Sequence, residues 1–121
     1  MVKALFDTNI LIDYLRGVDQ ARAEIALYED VAISLVTWME VLVGATEASE
    51  ARTREFLRRF RVQTIDETVA ERAVELRRSR RLRLPDAIIW ASAITSGHLL
   101  VTRNVRDFPA EDPGVREPYR L

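Results

Sequence analysis

The sequence predicts an α/β protein in which helices cover both faces of a central parallel sheet. Short apolar runs bounded by polar or turn residues recur along the chain, and each has the length of a buried strand. The segments between these runs carry apolar residues at helical spacing, so that strands and helices alternate. No internal repeat or long linker divides the 121 residues, which predicts a single domain over residues 1–121.

The predicted sheet has four to five strands. They are Val2–Phe6, Val31–Ile33, Val62–Ile65, Leu99–Val101 and a short terminal strand near residues 115–118. The predicted helices are Asn9–Arg16, Gln20–Tyr28, Val36–Ala45, Glu50–Phe60, Thr68–Arg81 and Pro85–Thr95. Gly17 ends the first helix, Pro85 begins the last one and Gly97 ends it, as expected for these residue types at helix termini.

The composition excludes several classes of protein. Without cysteine, the chain can form neither disulfides nor thiolate metal sites, and its single histidine, His98, excludes a histidine-rich zinc site. No apolar run approaches the roughly 18 residues that a membrane span needs, and no basic segment followed by an apolar stretch marks a secretory signal. We therefore expect a cytoplasmic protein that does not contact membranes.

The net charge of -1 gives no global reason to expect nucleic-acid binding, but the charge is unevenly distributed. Acidic residues dominate the first part of the chain, and the middle contains the basic run "RRSRRLR" at Arg77–Arg83. Two interpretations of this run remain open, a solvated helix face and a surface that contacts phosphates.

Four acids follow predicted strands or begin predicted helices. Asp7 follows the first strand, Glu40 lies in the helix after the second, Asp86 begins the last helix, and Asp107 lies in the loop after the strand Leu99–Val101. In parallel α/β folds, functional residues gather at the carboxyl ends of the strands. Several carboxylates in one pocket favour a hard divalent cation, because Mg²⁺ and Mn²⁺ prefer oxygen ligands. Phosphoester hydrolysis is therefore the leading chemistry.

Structural roles are alternatives for three of these acids. Asp7 could cap the first helix or form an Asx turn, Asp86 could complement a helix dipole, and Asp107 could turn the chain before Phe108. Glu40 differs because its helix is apolar on almost every side, which predicts a buried carboxylate. No Lys or Arg occurs between Arg22 and Arg52, so an ion-pair partner would have to come from elsewhere in the chain.

Polar residues flank the same acids. Asn9 and Asn104, the only asparagines of the chain, lie within a few residues of Asp7 and Asp107. Each could orient a carboxylate or a metal-bound water through a hydrogen bond. The threonines beside the acids could act in the same way, and capping of the first helix is an alternative for the first of them; they are Thr8, Thr37 and Thr102.

Four segments, in order, resemble the signature blocks of PIN-domain ribonucleases. They are "FDTNILIDYLRG", "TWMEVLVG", "LPDAIIWASA" and "LLVTRNVRDF", and the resemblance runs from Val2 to about Pro109. The chain is most similar to the VapC-like toxins of type II toxin–antitoxin pairs. Any one block is weak support for this family, whereas four in order at the proper separations are strong.

The resemblance implies a three-layer α/β/α sandwich and a Mg²⁺- or Mn²⁺-dependent endoribonuclease. The metal-binding acids of the family correspond to Asp7, Glu40 and Asp86, and to Asp107 at the most variable position. An enzyme that hydrolyses RNA phosphodiester bonds would also use basic side chains to hold the phosphates on either side of the cleaved bond. Arg103, Arg106 and part of Arg77–Arg83 are the candidates.

The resemblance also implies partners: an RNA substrate, a cognate antitoxin that covers the site, and a second copy of the chain in a homodimer. An apolar groove among the early helices would receive the antitoxin, with Tyr14, Leu15 and Tyr28 as candidate anchors. A place in the core is the alternative for each of these three residues. Two other functions remain open, a PIN nuclease of RNA processing and a non-catalytic PIN-like binding module. A phosphorylated receiver domain fits poorly, because it would need a lysine at the end of a later strand, and the only lysine, Lys3, lies at the beginning of the chain.

Overall fold

Five parallel strands form one sheet in the computed structural model, which describes residues 2–121; Met1 of the predicted domain lies outside this range. The strands are β1 (Lys3–Phe6), β2 (Asp30–Ser34), β3 (Arg61–Gln63), β4 (Leu99–Val101) and β5 (Val115–Arg116). Their spatial order is β3-β2-β1-β4-β5, and every neighbouring pair is parallel. The predicted fold class and the short terminal strand are confirmed. The third strand lies slightly earlier than predicted, because it begins at Arg61 and ends before Ile65.

The described part of the chain forms six helices. They are α1 (Thr8–Leu15), α2 (Asp19–Ala26), α3 (Leu35–Val43), α4 (Glu50–Leu57), α5 (Glu67–Arg80) and α6 (Leu84–Ser96). Each corresponds to a predicted helix, with small differences at the ends. None of the helices within residues 2–121 is long and apolar enough to cross a membrane.

Separate apolar cores lie on the two faces of the sheet, as a three-layer sandwich requires. Successive side chains of a strand point to opposite faces. In β1, Ala4 and Phe6 accordingly join the core formed with α1, α2 and α4, whereas Leu5 joins the core formed with α5 and α6. Both cores consist of fully or almost fully buried side chains, so the central strand is covered on both faces.

The strand order reverses between β1 and β4. The chain adds β2 and β3 on one side of β1, and then adds β4 and β5 on the other side. Loops that leave the carboxyl ends of two such strands diverge and leave a crevice between them, which is where ligands of open α/β sheets bind. Asp7 follows β1 and Thr102 follows β4, so both residues lie at this reversal.

The prediction that α3 is buried on almost every side is wrong. Val36 packs in one core and Val41 in the other, but Met39 is 44% exposed and Val43 is 85% exposed. Glu40 is exposed as well. Apolar residues on the outer side of a helix mimic burial in the sequence, although here they belong to an uncovered surface.

Candidate active site

Asp7 is both the N-terminal cap of α1 and an almost completely buried carboxylate, 5% exposed. Its Oδ1 accepts a hydrogen bond of 2.7 Å from the backbone N–H of Thr8. Its Oδ2 accepts one of 2.7 Å from the hydroxyl of Thr102 and one of 3.1 Å from the side-chain amide of Asn9. The capping role expected as the alternative is therefore real, but a cap does not require burial.

Burial raises the pKa of the Asp7 carboxyl from its ordinary value of 3.8 to about 6. The hydrogen bonds from Thr102 and Thr8 act in the opposite direction, and the nearby charges of Asp86 and Glu40 raise the pKa further. Asp7 is thus a carboxylate whose negative charge is unfavourable in the protein alone. A bound cation would favour that charge, which is typical of a functional site.

Threonine hydroxyls hold Glu40 in place. The Thr8 hydroxyl lies 2.7 Å from Glu40 Oε1 and 2.9 Å from the hydroxyl oxygen of Thr37, which is fully buried. Because a hydroxyl has a single proton, donation by Thr8 to the carboxylate leaves the Thr37 hydroxyl to donate to Thr8. The partner of Glu40 is therefore a chain of neutral hydroxyls rather than the Lys or Arg that the sequence left as an alternative.

Asp86 occupies the first turn of α6, next to Pro85. Its Oδ2 is buried and has no hydrogen-bond partner among the described residues. The nearest cation is Arg83, whose Nε lies 4.0 Å from that oxygen and whose side chain is 85% exposed. Burial raises the pKa of Asp86 against the lowering effect of Arg83, and the charges of Asp107 and Glu40 add to the increase. A dipole-complementing residue would not need this burial, so the unpartnered oxygen points to a ligand.

Asp107 lies in the turn after β4, where Asn104 fixes it. The side-chain amide of Asn104 donates to Asp107 Oδ2 at 3.1 Å, and its backbone N–H donates to the Thr102 hydroxyl oxygen at 2.9 Å. The backbone N–H of Phe108 donates to the carbonyl of Asn104 at 3.0 Å, which closes the turn. The turn-forming role and a position beside Asp86 therefore coexist at Asp107.

The four acids lie close enough together to interact electrostatically. Asp86 interacts electrostatically with Asp7, Glu40 and Asp107, and Asp7 interacts with Glu40. Within residues 2–121, however, no three acid or histidine side chains are close enough to form a ready-made metal cluster. Mg²⁺ keeps several waters and binds directly through one or two carboxylates, so such convergence is not required. The all-oxygen donor set and the unpartnered oxygen of Asp86 fit a hydrated hard cation.

The two predicted phosphate contacts differ in their surroundings. Arg106 is exposed on the turn beside Asp107. Arg103 instead forms a two-pronged ion pair, in which Nε and Nη2 lie 2.6 and 2.9 Å from the carboxylate of Asp13. Asp13, which is 3% exposed, was not among the predicted site residues, because an acid in an amphipathic helix usually lies on the surface. Its position four residues after Asn9, on the same face of α1, was the available signal.

The chain resembles known proteins in sequence and in structure. The family model of the PIN domain matches residues 4–110. Ribonuclease VapC10 of Mycobacterium tuberculosis is 37% identical over 113 residues, which cover 87% of this chain and 85% of the relative.

Solved structures resemble the whole chain. A chain of a toxin–antitoxin complex from Klebsiella pneumoniae is 48% identical, with a TM-score of 0.93, and the match covers 98% of this chain and 100% of that one. A chain of the DNA-bound VapBC from Salmonella typhimurium is 26% identical, with a TM-score of 0.78 and 96% of both chains covered.

The raised pKa of Asp7 predicts how stability depends on pH. Above pH 6 the folded state must keep a buried ionised carboxylate, whereas below the ordinary pKa of 3.8 both the folded and the unfolded state hold the proton. The free energy of unfolding of the wild type, relative to that of Asp7→Asn, should therefore rise by about 3 kcal/mol at most between pH 7 and pH 4. Urea unfolding in EDTA measures both proteins, and a difference that stays flat over this range would contradict the raised pKa.

Proposed function

Because the chain belongs to the PIN-domain family, we propose that it is an endoribonuclease that depends on Mg²⁺ or Mn²⁺ and acts as the toxin of a toxin–antitoxin pair. The observation that carries this proposal is the buried, unpartnered Oδ2 of Asp86 among three further acids at the reversal of the strand order. A non-catalytic binding module would have no use for an unsatisfied carboxylate there. The ribonuclease name of the VapC relative and the toxin–antitoxin structure support the same function.

Asp7, Glu40, Asp86 and Asp107 are the residues proposed to hold the cation. When bound, a divalent cation supplies a Lewis acid that stabilises phosphate charge and acidifies a water molecule. The protein contributes orientation: Thr102 and Asn9 fix Asp7, Thr8 fixes Glu40, and Asn104 fixes Asp107. Each of these donors is neutral, so the negative charge that attracts the cation is retained.

Asp86 is the carboxylate best suited to accept a proton from the attacking water. Its Oδ2 is buried and makes no hydrogen bond within residues 2–121, so a lone pair of this oxygen is available to take that proton. The water oxygen would then attack phosphorus, the bond to the leaving ribose oxygen would break, and that oxygen would take a proton from solvent water, so that no protein nucleophile is needed.

A basic surface next to this acid is proposed to bind RNA phosphates. It consists of the exposed arginines at the end of α5 and before α6, namely Arg77, Arg78, Arg80, Arg81 and Arg83. In the described part of the chain, only Arg83 of this set approaches a carboxylate, that of Asp86. Arg106 is retained as a further contact, whereas the guanidinium of Arg103 is already engaged by Asp13. Exposed guanidinium groups that have no carboxylate partner within residues 2–121 fit a contact with the RNA backbone, which carries no sequence information.

The groove between α1, α3 and α4 is proposed to receive the antitoxin. It has a volume of about 650 Å³, and its lining includes Tyr14, Leu15, Val41, Ala45 and Phe56. The Tyr14 ring stacks on the Phe56 ring with centroids 4.3 Å apart, so the candidate anchor Tyr14 has a fixed position in the groove. Tyr28, the third anchor candidate, does not line the groove. Its hydroxyl instead donates a hydrogen bond of 2.8 Å to Glu24 of α2. A homodimer and a cytoplasmic location remain parts of the same proposal.

Cleavage of RNA should require Mg²⁺ or Mn²⁺ and should stop in EDTA. Glu40→Gln removes negative charge from the acidic pocket and should reduce the rate by roughly 100-fold or more at a fixed Mg²⁺ concentration. Glu47→Gln, which changes an exposed acid in the loop after α3, should leave the rate unchanged. Full activity after exhaustive chelation, or equal rates for the two variants, would exclude the proposed mechanism.

Asp86→Asn should abolish cleavage without destabilising the metal-free protein, because it removes a charge that burial and neighbouring acids disfavour. We expect the variant to equal the wild type or exceed it by up to ~1 kcal/mol. Mg²⁺ at about 100 times its dissociation constant should stabilise the wild type by roughly 2.7 kcal/mol and the variant by less. Thermal melts with and without Mg²⁺ measure this. A destabilised but active variant would return Asp86 to a purely dipole-complementing role.

Expression of the chain alone should arrest growth, and co-expression of a small protein encoded next to it should relieve the arrest. Ala45 lines the groove, and Ala48, three residues later, is exposed outside it. Ala45→Trp fills part of the groove and should keep the chain toxic in the presence of that protein, whereas Ala48→Trp should be neutralised like the wild type. Equal neutralisation of the two variants would exclude this groove as the antitoxin site.

A further inference from the structure

Two buried carboxylates outside the acidic pocket are held in the same way. Asp13 of α1 accepts two hydrogen bonds from Arg103, at 2.6 and 2.9 Å, and one of 2.7 Å from the hydroxyl of Tyr119. Glu24 of α2 accepts two from Arg116, at 2.7 and 3.0 Å, and one of 2.8 Å from Tyr28. We call these sets the Asp13 clamp (Asp13, Arg103, Tyr119) and the Glu24 clamp (Glu24, Arg116, Tyr28). Both acids are 5% exposed or less.

The clamps differ in what they hold. Arg103 lies between Thr102, which donates to Asp7, and Asn104, which donates to Asp107. The backbone N–H of Arg103 also donates to Asn9 Oδ1 at 3.3 Å. The turn after β4 is therefore attached to Asp7, Asn9 and Asp13, that is, to the N-terminal cap of α1 and to two positions along the helix. The Asp13 clamp is the attachment furthest from the cap.

The Glu24 clamp holds the terminal strand instead. Its Arg116 belongs to β5, which pairs with β4 through the backbone. The side chains of Glu24 and Tyr28 bond to each other and that of Glu24 bonds to Arg116, and among the described residues neither has a hydrogen bond to the turn that bears Asp107. The backbone N–H of Thr102 donates to the carbonyl of Arg116 at 3.0 Å, a bond that does not use the Arg116 side chain. The Glu24 clamp thus provides a chemically matched control.

Stability alone does not explain a buried ion pair. Burial of the carboxylate and of part of the arginine side chain costs desolvation energy that offsets much of the attraction, so a well-packed apolar pair often gives an equally stable fold. A two-pronged guanidinium–carboxylate contact does supply a defined orientation, because its planar fork fits in one way. Next to the turn that carries Asn104 and Asp107, a defined orientation of Arg103 would hold that turn in one position.

We propose that the Asp13 clamp is a positioning device for the acidic pocket, which fixes the turn Thr102–Asp107 so that Asp107 and the Asp7 hydrogen bond keep their places. Arg103 is then a positioning residue that acts through this turn and does not touch the substrate. The proposal rests on the proposed function, because Asp107 has a catalytic use only if the pocket binds a cation.

The test compares Arg103→Lys with Arg116→Lys, each of which keeps the charge and removes the fork. Urea unfolding should show similar losses of stability for both. Only Arg103→Lys should raise the Mg²⁺ concentration for half-maximal cleavage, by about tenfold. It alone should also speed amide exchange at Asn104 and Phe108, measured in EDTA. Equal Mg²⁺ requirements and equal exchange for the two variants would overturn the proposal.

A milder pair covers the case in which a lysine variant does not fold. Tyr119→Phe and Tyr28→Phe each remove one hydroxyl from a clamp, and only Tyr119→Phe should raise the Mg²⁺ requirement and speed exchange in the turn. If the wild type cleaves no RNA, the proposed function fails, and the exchange comparison in EDTA still decides whether the clamp positions the turn. If the wild type cleaves and both pairs behave alike, the clamp proposal fails by itself.

Discussion

The hydrogen bond from the Thr102 hydroxyl to Asp7 is the contact on which the geometry of the acidic pocket depends. It joins the ends of β1 and β4, the two strands between which the strand order reverses, at 2.7 Å and in full burial. The Asp7 backbone N–H also donates to the carbonyl of Val101 at 2.9 Å, so side chain and main chain fix the same junction. Because a buried carboxylate needs such donors, the most buried acid of the pocket is also a structural element of the sheet.

The fold class followed from local pattern because each strand is an apolar run with polar boundaries. β3 is displaced from its prediction for a physical reason: its first residue, Arg61, pairs with Asp30 at the beginning of β2, and a charged residue at the start of an edge strand leaves no apolar signal. The exposed positions of α3 were missed for the opposite reason. Met39 and Val43 are apolar without being buried, and one sequence cannot distinguish an uncovered apolar surface from a core.

The site residues that follow strands or begin helices could be predicted from the sequence. The role of a residue could not be predicted where it depends on a hydrogen-bond partner far away in the chain. The partner of Glu40 is not a Lys or Arg side chain. It is the hydroxyl of Thr8, 32 residues earlier in the chain. Arg103 looked free to bind phosphate, since nothing local shows that Asp13 takes its guanidinium from 90 residues away. Side-chain pairings over such separations require the fold, which brings α1 against the end of β4.

The arginines that form the buried-acid ion pairs bond to acids outside the pocket and not to the four acids of the pocket. Arg103 and Arg116 neutralise Asp13 and Glu24, whereas the donors to Asp7 and Glu40 are hydroxyl, amide and backbone groups. Within residues 2–121, Arg83 is the only Lys or Arg side chain within 4.0 Å of an acid of the pocket. The Arg83 side chain is 85% exposed and its Nε lies 4.0 Å from the carboxylate, so this contact is weak and leaves the acidic charge almost intact. Arginines bonded directly to these acids would remove the negative charge on which cation binding depends, and neutral donors hold them in position while preserving it.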